Sequence, residues 1–576
     1  MFRISAALGL ALLTGAAVAQ RPEPAARVDA RMAAPLPADQ AAMKAHVLFL
    51  ASDAMRGREA GSAEYDIAAQ YVAAQFYAAG LRPAGDADAA GTGYLQRVPM
   101  VSYRVEGPGK FAWKPRNGRA QPLAPGADFI ATANAARAET RVSAPVVFVG
   151  HGVTAPQYGH DDYKGVDVRG KIVAVVNGAP AGFGGEESAF FARAGTKART
   201  AQARGAVGLI TVAARAAPPR PAAAPAAAPG ATAAPLAAVQ PVVPAPAPVL
   251  PRGPARMTWA NPDGTGRVDA AGAPMLGSLT ALGAAKLFGA DYSRITAAAA
   301  AGEKARYTAI RPAGVLSVEV NTSFEKVASS NVVGVIPGSD PKVGKEVVVL
   351  SAHLDHIGVR TTGEGDRINN GALDNAIGIA SLIEEAKRFA ASGTPPRRTV
   401  MFLAVTAEEK GLVGADYFAN HPTVPIGNIV ANVNLDMPVL LYRFQDMTVF
   451  GAERSTLGPI VRRAAQSAGV DLTPDANPEE AFFVRSDHFR FVEKGVPSVF
   501  LWPGQKGDGG AFRNFLKTCY HRPCDELAKQ PILWDQGVRF VDVNYRIARE
   551  IADGPARPVW NKGDYFGMLF KGPMAK

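Results

Sequence analysis

The sequence predicts an α/β protein whose main sheet is mixed but mostly parallel and carries helices on both faces, with a smaller β-rich unit beside it. From about residue 331, short apolar runs rich in β-branched residues alternate with stretches of helical periodicity. From about residue 141, a second group of β-branched runs stands between glycines and prolines. Alternation of strands and helices favours parallel pairing, because a parallel neighbour is reached through a crossover connection.

Two helices are predicted first, at Asp39–Ala51 and Ile67–Ala79, where apolar residues recur at helical spacing. The β-rich unit follows, and its predicted elements are strands at Val146–Val149, Ile172–Val176 and Val207–Val212, a helix at Thr196–Arg204 and a resumed ordered stretch at Met275–Phe288. Residues 214–256 are dominated by Ala and Pro. Such a tract cannot bury enough surface to fold, so it predicts a flexible surface insertion.

The main region alternates strands with helices. The predicted strands are Val332–Ile336, Glu346–Ser351, Thr399–Val405, Ile429–Leu435 and Ser498–Trp502. The predicted helices are Asn375–Ala391, Gly411–Asn420, Leu457–Ala468, Asp487–Glu493 and Asp535–Ala552. We therefore divide the chain into residues 28–140 and 296–556 of the main domain, the β-rich unit at 141–295 with its insertion 214–256, and a C-terminal tail at 557–576.

The first nineteen residues predict a signal peptide for export to the periplasm or the medium. Arg3 precedes the short apolar run Ile4–Leu13, and the small residues Ala17-Val18-Ala19 form the expected cleavage pattern. This run is too short for a comfortable membrane span, so we expect no stable membrane insertion after cleavage.

The composition predicts a folded chain with a large core. The 576 residues are 48% hydrophobic and 20% charged, with a formal net charge of +11. The basic residues are spread along the chain without an aromatic-lined stripe, so no nucleic-acid partner is expected. Export permits a disulfide between Cys519 and Cys524, and two free thiols are the alternative. The oligomeric state is left open.

Residues able to bind a metal follow the predicted strands of the main region. His353 follows the first parallel strand, Glu408 and Glu409 the next, and Asp436 the third, while Asp374 begins the helix between the first two. The carboxyl ends of parallel strands meet at one edge, where functional crevices lie. Carboxylates gathered there would repel one another unless a cation offsets them. Histidine and carboxylate ligands suit zinc, and a pair of ions about 3.5–4 Å apart needs a bridging group.

At these residues the sequence resembles the exopeptidase family that holds the bacterial zinc leucyl aminopeptidases and glutamate carboxypeptidase II. The matching segments are Ala352-His353-Leu354-Asp355, Gly371-Ala372-Leu373-Asp374-Asn375-Ala376, Ala407-Glu408-Glu409-Lys410-Gly411-Leu412, Asn434-Leu435-Asp436-Met437, Ser486-Asp487-His488-Phe489 and Tyr520-His521, preceded by Gly57-Arg58 and Gly61-Ser62. Gly170-Lys171-Ile172-Val173 and Gly205-Ala206-Val207-Gly208 make the β-rich unit resemble a protease-associated domain.

The resemblance implies a zinc exopeptidase fold of the phosphorylase/hydrolase type and an aminopeptidase that acts on peptides with two zinc ions. His353 and Asp436 would hold one ion, Glu409 and His521 the other, and Asp374 would bridge them. A hydroxide between the ions would attack the peptide, with Glu408 as general base. Asp355 would orient His353, and Tyr520 is a candidate donor to the oxyanion.

Other interpretations of the same residues stay open. Glutaminyl cyclases share this fold but bind one zinc ion, and the run from Glu408 to Gly414 is more typical of peptidases. Receptor-like proteins keep the fold and the protease-associated domain without the chemistry, but they lose the ligands that are present here. We assign no metal to Asp487 or His488, and we expect His356 at the surface or behind the ligands rather than among them.

Overall fold

Each predicted helix lies close to an observed one, and helices at 185–192, 292–300, 509–518 and 565–569 were not predicted. The structure is a computed structural model that describes residues 34–89, 91–214, 255–302 and 306–576. Its helices are α1 (Ala38–Leu50), α2 (Ala63–Ala78), α3 (Gly185–Ala192), α4 (Ala194–Ala203), α5 (Ala281–Phe288), α6 (Tyr292–Ala300), α7 (Ile377–Ala391), α8 (Val413–Asn420), α9 (Leu457–Ser467), α10 (His488–Val492), α11 (Gly509–Thr518), α12 (Trp534–Asp553) and α13 (Tyr565–Leu569).

The strands include every predicted strand and several that the sequence did not predict. They are β1 (Arg82–Pro83), β2 (Ala87–Asp88), β3 (Gly91–Thr92), β4 (Leu95–Pro115), β5 (Gln121–Pro122), β6 (Phe129–Ala131), β7 (Glu139–Phe148), β8 (Thr154–Ala155), β9 (His160–Asp161), β10 (Ile172–Val176), β11 (Gly208–Val212), β12 (Arg256–Trp259), β13 (Met275–Leu279), β14 (Gly314–Ile336), β15 (Val347–His353), β16 (Thr399–Val405), β17 (Ile429–Asn434), β18 (Asp446–Phe450), β19 (Asp471–Leu472) and β20 (Ser498–Pro503). The strands predicted at Ile172–Val176 and Thr399–Val405 are confirmed residue for residue.

The sheet of the main region is mixed and mostly parallel. Its strand order is β19-β18-β20-β17-β15-β16-β14. The central strands β16, β15, β17 and β20 are all parallel, and β18 and β14 join as antiparallel neighbours on either side. The predicted fold class is confirmed.

Helices cover both faces of this sheet, and the side chains of its central strands are therefore buried on both sides. In β15, Val348 and Leu350 belong to the larger core, whereas Val347 and Val349 belong to a second core across the sheet. Helices α1, α7 and α12 pack together on the side of the larger core, and α8 and α10 pack together. Residues 557–576, predicted as a tail, contribute Trp560 and Phe566 to the larger core.

In the β-rich unit, the sheet continues beyond β14 as a short parallel part. Strands β7, β10, β11 and β13 pair in parallel, and β6 closes the edge in antiparallel orientation. All five residues of β10 and all five of β11 are buried. Unbroken apolar runs of this kind are typical of parallel strands that are covered on both faces.

One long strand, β14, joins the two regions. Only its last residues, from Val332, were predicted, but it begins at Gly314 and pairs with β4, β7 and β16. Its middle part is polar and partly exposed, with Glu325 and Lys326 in the ribbon formed with β4. A partly solvated ribbon needs no apolar run, which explains why the sequence pattern did not predict it.

Two of the predicted segments cannot be compared with the structure. The predicted signal peptide at residues 1–19 and nearly all of the Ala/Pro-rich insertion lie outside the described residues. Within the described ranges, no helix combines the length and the hydropathy that crossing a bilayer requires.

Candidate metal centre

Parallel strands bring the predicted ligands to one edge of the main sheet. His353 is the last residue of β15, and Glu409 follows the end of β16 by four positions. Asp436 stands two positions after β17. Asp374 lies in a single turn of wide helix, at residues 372–376, that leads into α7. Since β15, β16 and β17 run in one direction, the polar residues after them share the same rim.

The first half of the site is a buried triad of one imidazole and two carboxylates. His353 Nε2 lies 3.1 Å from Asp436 Oδ1 and 3.2 Å from Asp374 Oδ1. The His353 side chain is 1% exposed and that of Asp374 3%. These three side chains together can offer one ligand atom each to a single ion.

The second half uses the other oxygen of Asp374. His521 Nε2 lies 3.1 Å from Asp374 Oδ2 and 3.1 Å from Glu409 Oε2. His521 is more exposed than the other ligands, with 36% of its side chain accessible. His356 approaches from the opposite side, with Nδ1 2.7 Å from Glu409 Oε1 and 3.8 Å from Asp374 Oδ2. Asp374 therefore stands between two groups of donors.

These separations fit metal ligands. Donors about 2.1 Å from a tetrahedral zinc ion lie about 3.4 Å from one another, close to the distances in both halves. Asp374 Oδ2 is buried and accepts no hydrogen bond from the described residues, although His521 is near. A buried carboxylate oxygen without a donor is costly, and a shared cation removes that cost.

The pKa values of the two imidazoles also favour a bound cation. Burial lowers the pKa of His521, but its polar contacts with Asp374 and Glu409 outweigh burial and raise the pKa to about 10. Burial also opposes the charged form of His353, yet the surrounding carboxylates raise its pKa well above the usual value. The carboxylates thus favour positive charge at both positions, which is what a divalent cation would supply.

Asp355 has a different contact from the one that the resemblance implied. His353 Nδ1 lies 3.1 Å from the backbone oxygen of Asp355, whereas the nearest carboxylate oxygen of Asp355 is 4.0 Å away. The carboxylate instead accepts hydrogen bonds from the backbone N–H groups of Glu408, at 3.0 Å, and of Glu409, at 3.3 Å. Asp355 therefore holds the loop that carries the general-base candidate, and its main chain orients the imidazole.

Glu408 and Tyr520 border the two halves of the site. Burial raises the pKa of the Glu408 carboxyl well above its usual range; His353 opposes this, and the charges of Glu409, Asp436 and Asp487 reinforce it. The Tyr520 ring lies against His521, with 3.8 Å between ring centroids. Burial, followed by the charge of Asp374, raises the pKa of the Tyr520 phenol, so it remains a donor at neutral pH.

His356 lies inside the site, so the surface position considered for it is wrong. Its side chain is fully buried, and Nδ1 contacts Glu409 while Nε2 has no hydrogen-bond partner among the described residues. The spacing of His353, Asp355 and His356 after one strand was the available indication, because all three residues emerge at the same rim.

Arg58 supports the site from below, and sequence analysis gave it no role. It is fully buried and donates to the backbone oxygens of Leu354 at 2.8 Å, Asn370 at 2.5 Å and Gly371 at 2.8 Å. A fourth bond, of 3.0 Å, goes to Leu50 O at the end of α1. One guanidinium group thereby fixes the segments that follow His353 and precede Asp374.

Ser486 and Asp525 orient the carboxylates further. Ser486 Oγ donates to Asp436 Oδ2 at 2.6 Å, and it accepts a hydrogen bond from Asn434 Nδ2 at 2.8 Å. The carboxylate of Asp525 accepts the backbone N–H groups of Leu373, at 2.9 Å, and Asp374, at 3.0 Å. Hydrogen-bonded supports of this kind are usual around metal ligands.

The two cysteines form a disulfide around His521. Cys519 and Cys524 are bonded, with their Cα atoms 5.1 Å apart, and the intervening segment includes Tyr520 and His521. His521 has a left-handed backbone conformation, with φ of 58°. The short covalent loop therefore holds the most exposed of the ligand candidates in a conformation that non-glycine residues seldom adopt.

Comparison with known proteins agrees with this geometry. The family model of Peptidase family M28 matches residues 331–546, which contain all five predicted ligands. Residues 331–546 thus match the model of Peptidase family M28. The resemblance inferred from the motifs is thereby confirmed for residues 331–546.

Two characterised relatives and one solved structure illustrate the similarity. The chain is 29% identical over 211 residues to leupeptin-inactivating enzyme 1 of Streptomyces exfoliatus, covering 34% of this chain and 43% of that protein. It is 25% identical over 215 residues to aminopeptidase YwaD of Bacillus subtilis, covering 36% of this chain and 41% of the relative. The structure of an aminopeptidase from Aneurinibacillus sp. strain AM-1 is 18% identical, with a TM-score of 0.45, and covers 90% of this chain and 95% of that one. The chain thus spans about two fifths of these two curated relatives.

Proposed function

We propose that the protein is an exported zinc aminopeptidase that removes N-terminal residues from peptides and uses two zinc ions. The observation that carries the proposal is the position of Asp374, whose two oxygens each face a separate imidazole, 3.2 Å and 3.1 Å away. A carboxylate shared in this way is the bridging group that a pair of ions needs.

The proposed ligands divide into two groups around Asp374. His353 and Asp436 would hold one zinc ion, and Glu409 and His521 the other. His356 would keep Glu409 in place through its contact of 2.7 Å. The zinc ions, when bound, would act as Lewis acids on the peptide carbonyl and on the attacking water.

The remaining chemistry belongs to the side chains. Glu408 takes a proton from the attacking water and passes it to the departing amine, a function for which a raised pKa is suited. Asp355 fixes the position of Glu408 by accepting its backbone N–H at 3.0 Å. Tyr520 stays protonated and donates a hydrogen bond to the oxygen on which negative charge develops.

The surroundings of the catalytic domain form the rest of the proposal. We propose that residues 141–295 are a protease-associated domain and that residues 1–19 direct export to the periplasm or the medium. Two hydrophobic cores around β7, β10, β11 and β13, distinct from the larger core of the catalytic region, support a separate unit. The names of two relatives, an aminopeptidase and an enzyme that inactivates leupeptin, support a peptide substrate.

The deciding experiment combines metal analysis with a substrate screen. Purified protein should contain two zinc ions per chain and hydrolyse at least one aminoacyl-arylamide, with loss of activity in a chelator and recovery with zinc. The D374N variant should lose both zinc and activity, because among the described residues only the Asp374 carboxylate contacts both His353 and His521. The matched control is D39N, which changes an exposed carboxylate at the start of α1.

Other results would overturn the proposal. A protein loaded with two zinc ions that cleaves none of the arylamides is not an aminopeptidase of this kind. One zinc ion together with pyroglutamate formation would favour the cyclase, and no bound metal would favour a non-catalytic binding protein.

A further inference from the structure

A second charged cavity lies between the β-rich unit and the catalytic region. It has a volume of about 260 Å³ and is lined by strand β12, by the segment after β6, and by residues around Gly411 and Arg490 of the catalytic region. Cavities between structural units are common ligand sites, and this one is smaller than those of drug-sized ligands. Its size suits a small molecule or ion.

Positive charge is in excess around this cavity. Five arginines stand in or directly behind its wall, together with three carboxylates, and the residues are Arg193, Arg199, Arg256, Arg267, Arg490, Asp269, Asp416 and Glu493. Buried or half-buried guanidinium groups normally find one anionic partner each. The described residues supply fewer anions than cations here.

The three carboxylates are already engaged. Asp269 accepts hydrogen bonds from Arg199 at 2.8 Å and from Arg267 at 3.1 Å. Asp416 accepts one from the indole of Trp259 at 2.6 Å. Glu493 accepts one from Arg490 at 2.8 Å.

Several guanidinium donors are left over. Arg193 Nη1 and Arg490 Nε are buried and have no hydrogen-bond partner among the described residues. Arg256 lines the cavity with an exposed side chain that hydrogen-bonds to Tyr103. Burial raises the pKa of Tyr103, which also lines the cavity, and the charge of Arg256 opposes that rise.

We propose that this cavity is a binding site for a phosphate group, either as the free ion or as a small phosphate monoester. A dianion would balance the excess of five arginines over three carboxylates. Guanidinium groups bind phosphate oxygens through paired, charge-assisted hydrogen bonds. Trp259 and Tyr103 supply flat surfaces beside the cations for an ester substituent.

The site is connected to the catalytic loop. Arg490 Nη2 donates to the backbone oxygen of Gly411 at 3.2 Å, and Gly411 N donates to Glu408 O at 2.8 Å. A ligand that binds Arg490 and changes its position would therefore shift the loop that carries Glu408 and Glu409. This regulatory consequence rests on the proposed function, whereas phosphate binding itself does not.

The test is a calorimetric titration of the zinc-loaded full chain with inorganic phosphate and, separately, with phenyl phosphate at constant ionic strength. We expect binding that R256M weakens by about tenfold or more, since one charge-assisted contact is lost. R267M should weaken it as well. The matched control is R119M, which changes an exposed arginine outside the cavity and should leave binding unchanged.

The outcomes separate this site from the metal centre. Binding that is equal in wild type, R256M and R119M places phosphate at the zinc ions and overturns the proposal, as does the absence of binding. Loss in R256M supports the site even if every arylamide proves inert. Tighter binding of phenyl phosphate than of phosphate identifies an esterified ligand, and the reverse identifies the free ion.

Discussion

The metal-centre rim and the arginine-lined cavity bury charge of opposite sign. At the rim, Asp374, Glu409 and Asp436 crowd around imidazoles whose charged form they favour. In the cavity, the buried atoms without a hydrogen-bond partner among the described residues belong to the guanidinium groups of Arg193 and Arg490. The rim lies at the ends of parallel strands, and hydrogen bonds from Arg58 hold its segments in place. The cavity lies where the β-rich unit meets the catalytic region. An unbalanced buried charge is costly, so each region indicates the sign of the ligand that completes it.

The largest expected effect tests whether Glu408, one of the carboxylates of the rim, acts as the general base. E408Q keeps the shape of the side chain but removes the base, so kcat for an arylamide should fall by about 10²–10⁴-fold. Zinc content should stay at the wild-type value. The control is E364Q, at an exposed glutamate of the loop before Asp374. A decrease of less than about tenfold would contradict the general-base role.

The second test removes the guanidinium group of Arg58, which lies behind the rim. R58M leaves four backbone oxygens without their donor, so the free energy of unfolding should fall by about 3–5 kcal/mol, as measured by urea denaturation. Arg398 is the matched control, because it is also buried and donates to backbone oxygens, but away from the rim. At a temperature where both variants are folded, only R58M should lose activity. Equal activity in both would mean that Arg58 does not position the ligands.

The third test removes the disulfide that closes the loop around His521. The double variant C519S/C524S opens a short loop, and loop closure of this length stabilises a chain by about 2 kcal/mol. Because His521 lies inside the loop, zinc content should fall below the wild-type value. Wild-type protein treated with a reductant should show the same decrease. Unchanged zinc content in both samples would show that the loop holds His521 without the bond.

The last effect, the smallest when taken per pH unit, concerns a histidine that is buried beside the rim and packs against aromatic rings. Burial lowers the pKa of His488 to about 3, and its ring stands 5.0 Å from Phe483 and 5.4 Å from Phe500. The folded pKa is below the unfolded value of about 6.5, so stability is lost as pH falls from about 6.5 towards 3. Relative to H488L, wild type should lose about 1.4 kcal/mol per pH unit between pH 6 and 4. If the free energy of unfolding changed with pH equally in the two proteins, His488 would make no such contribution.

The sequence predicted the candidate ligands best where they follow strands. His353, Glu409 and Asp436 follow apolar runs that end at one edge, so their meeting follows from parallel pairing alone. His521 follows no strand, and only the family resemblance connected it with the others. The role of Arg58 could not be predicted, because its partners are backbone oxygens that leave no mark in the sequence.

The same limit applies to the fold. The short buried strands β10 and β16 were predicted to the residue, since unbroken apolar runs mark them. The ribbon of β4 and β14 was largely missed, because its side chains are half exposed and its stability comes from paired backbone groups. The contact of Asp355 with its loop was likewise hidden, since its donors are main-chain N–H groups.

Strand β14 limits how the two regions can move. Its first half pairs with β7 of the β-rich unit and its last residues pair with β16 beside the metal ligands. A rotation of one unit against the other would have to bend or twist this strand rather than swing about a flexible hinge. The arginine-lined cavity can therefore open only by small distortions, and cutting the β-rich unit away would expose an unpaired edge within the ribbon.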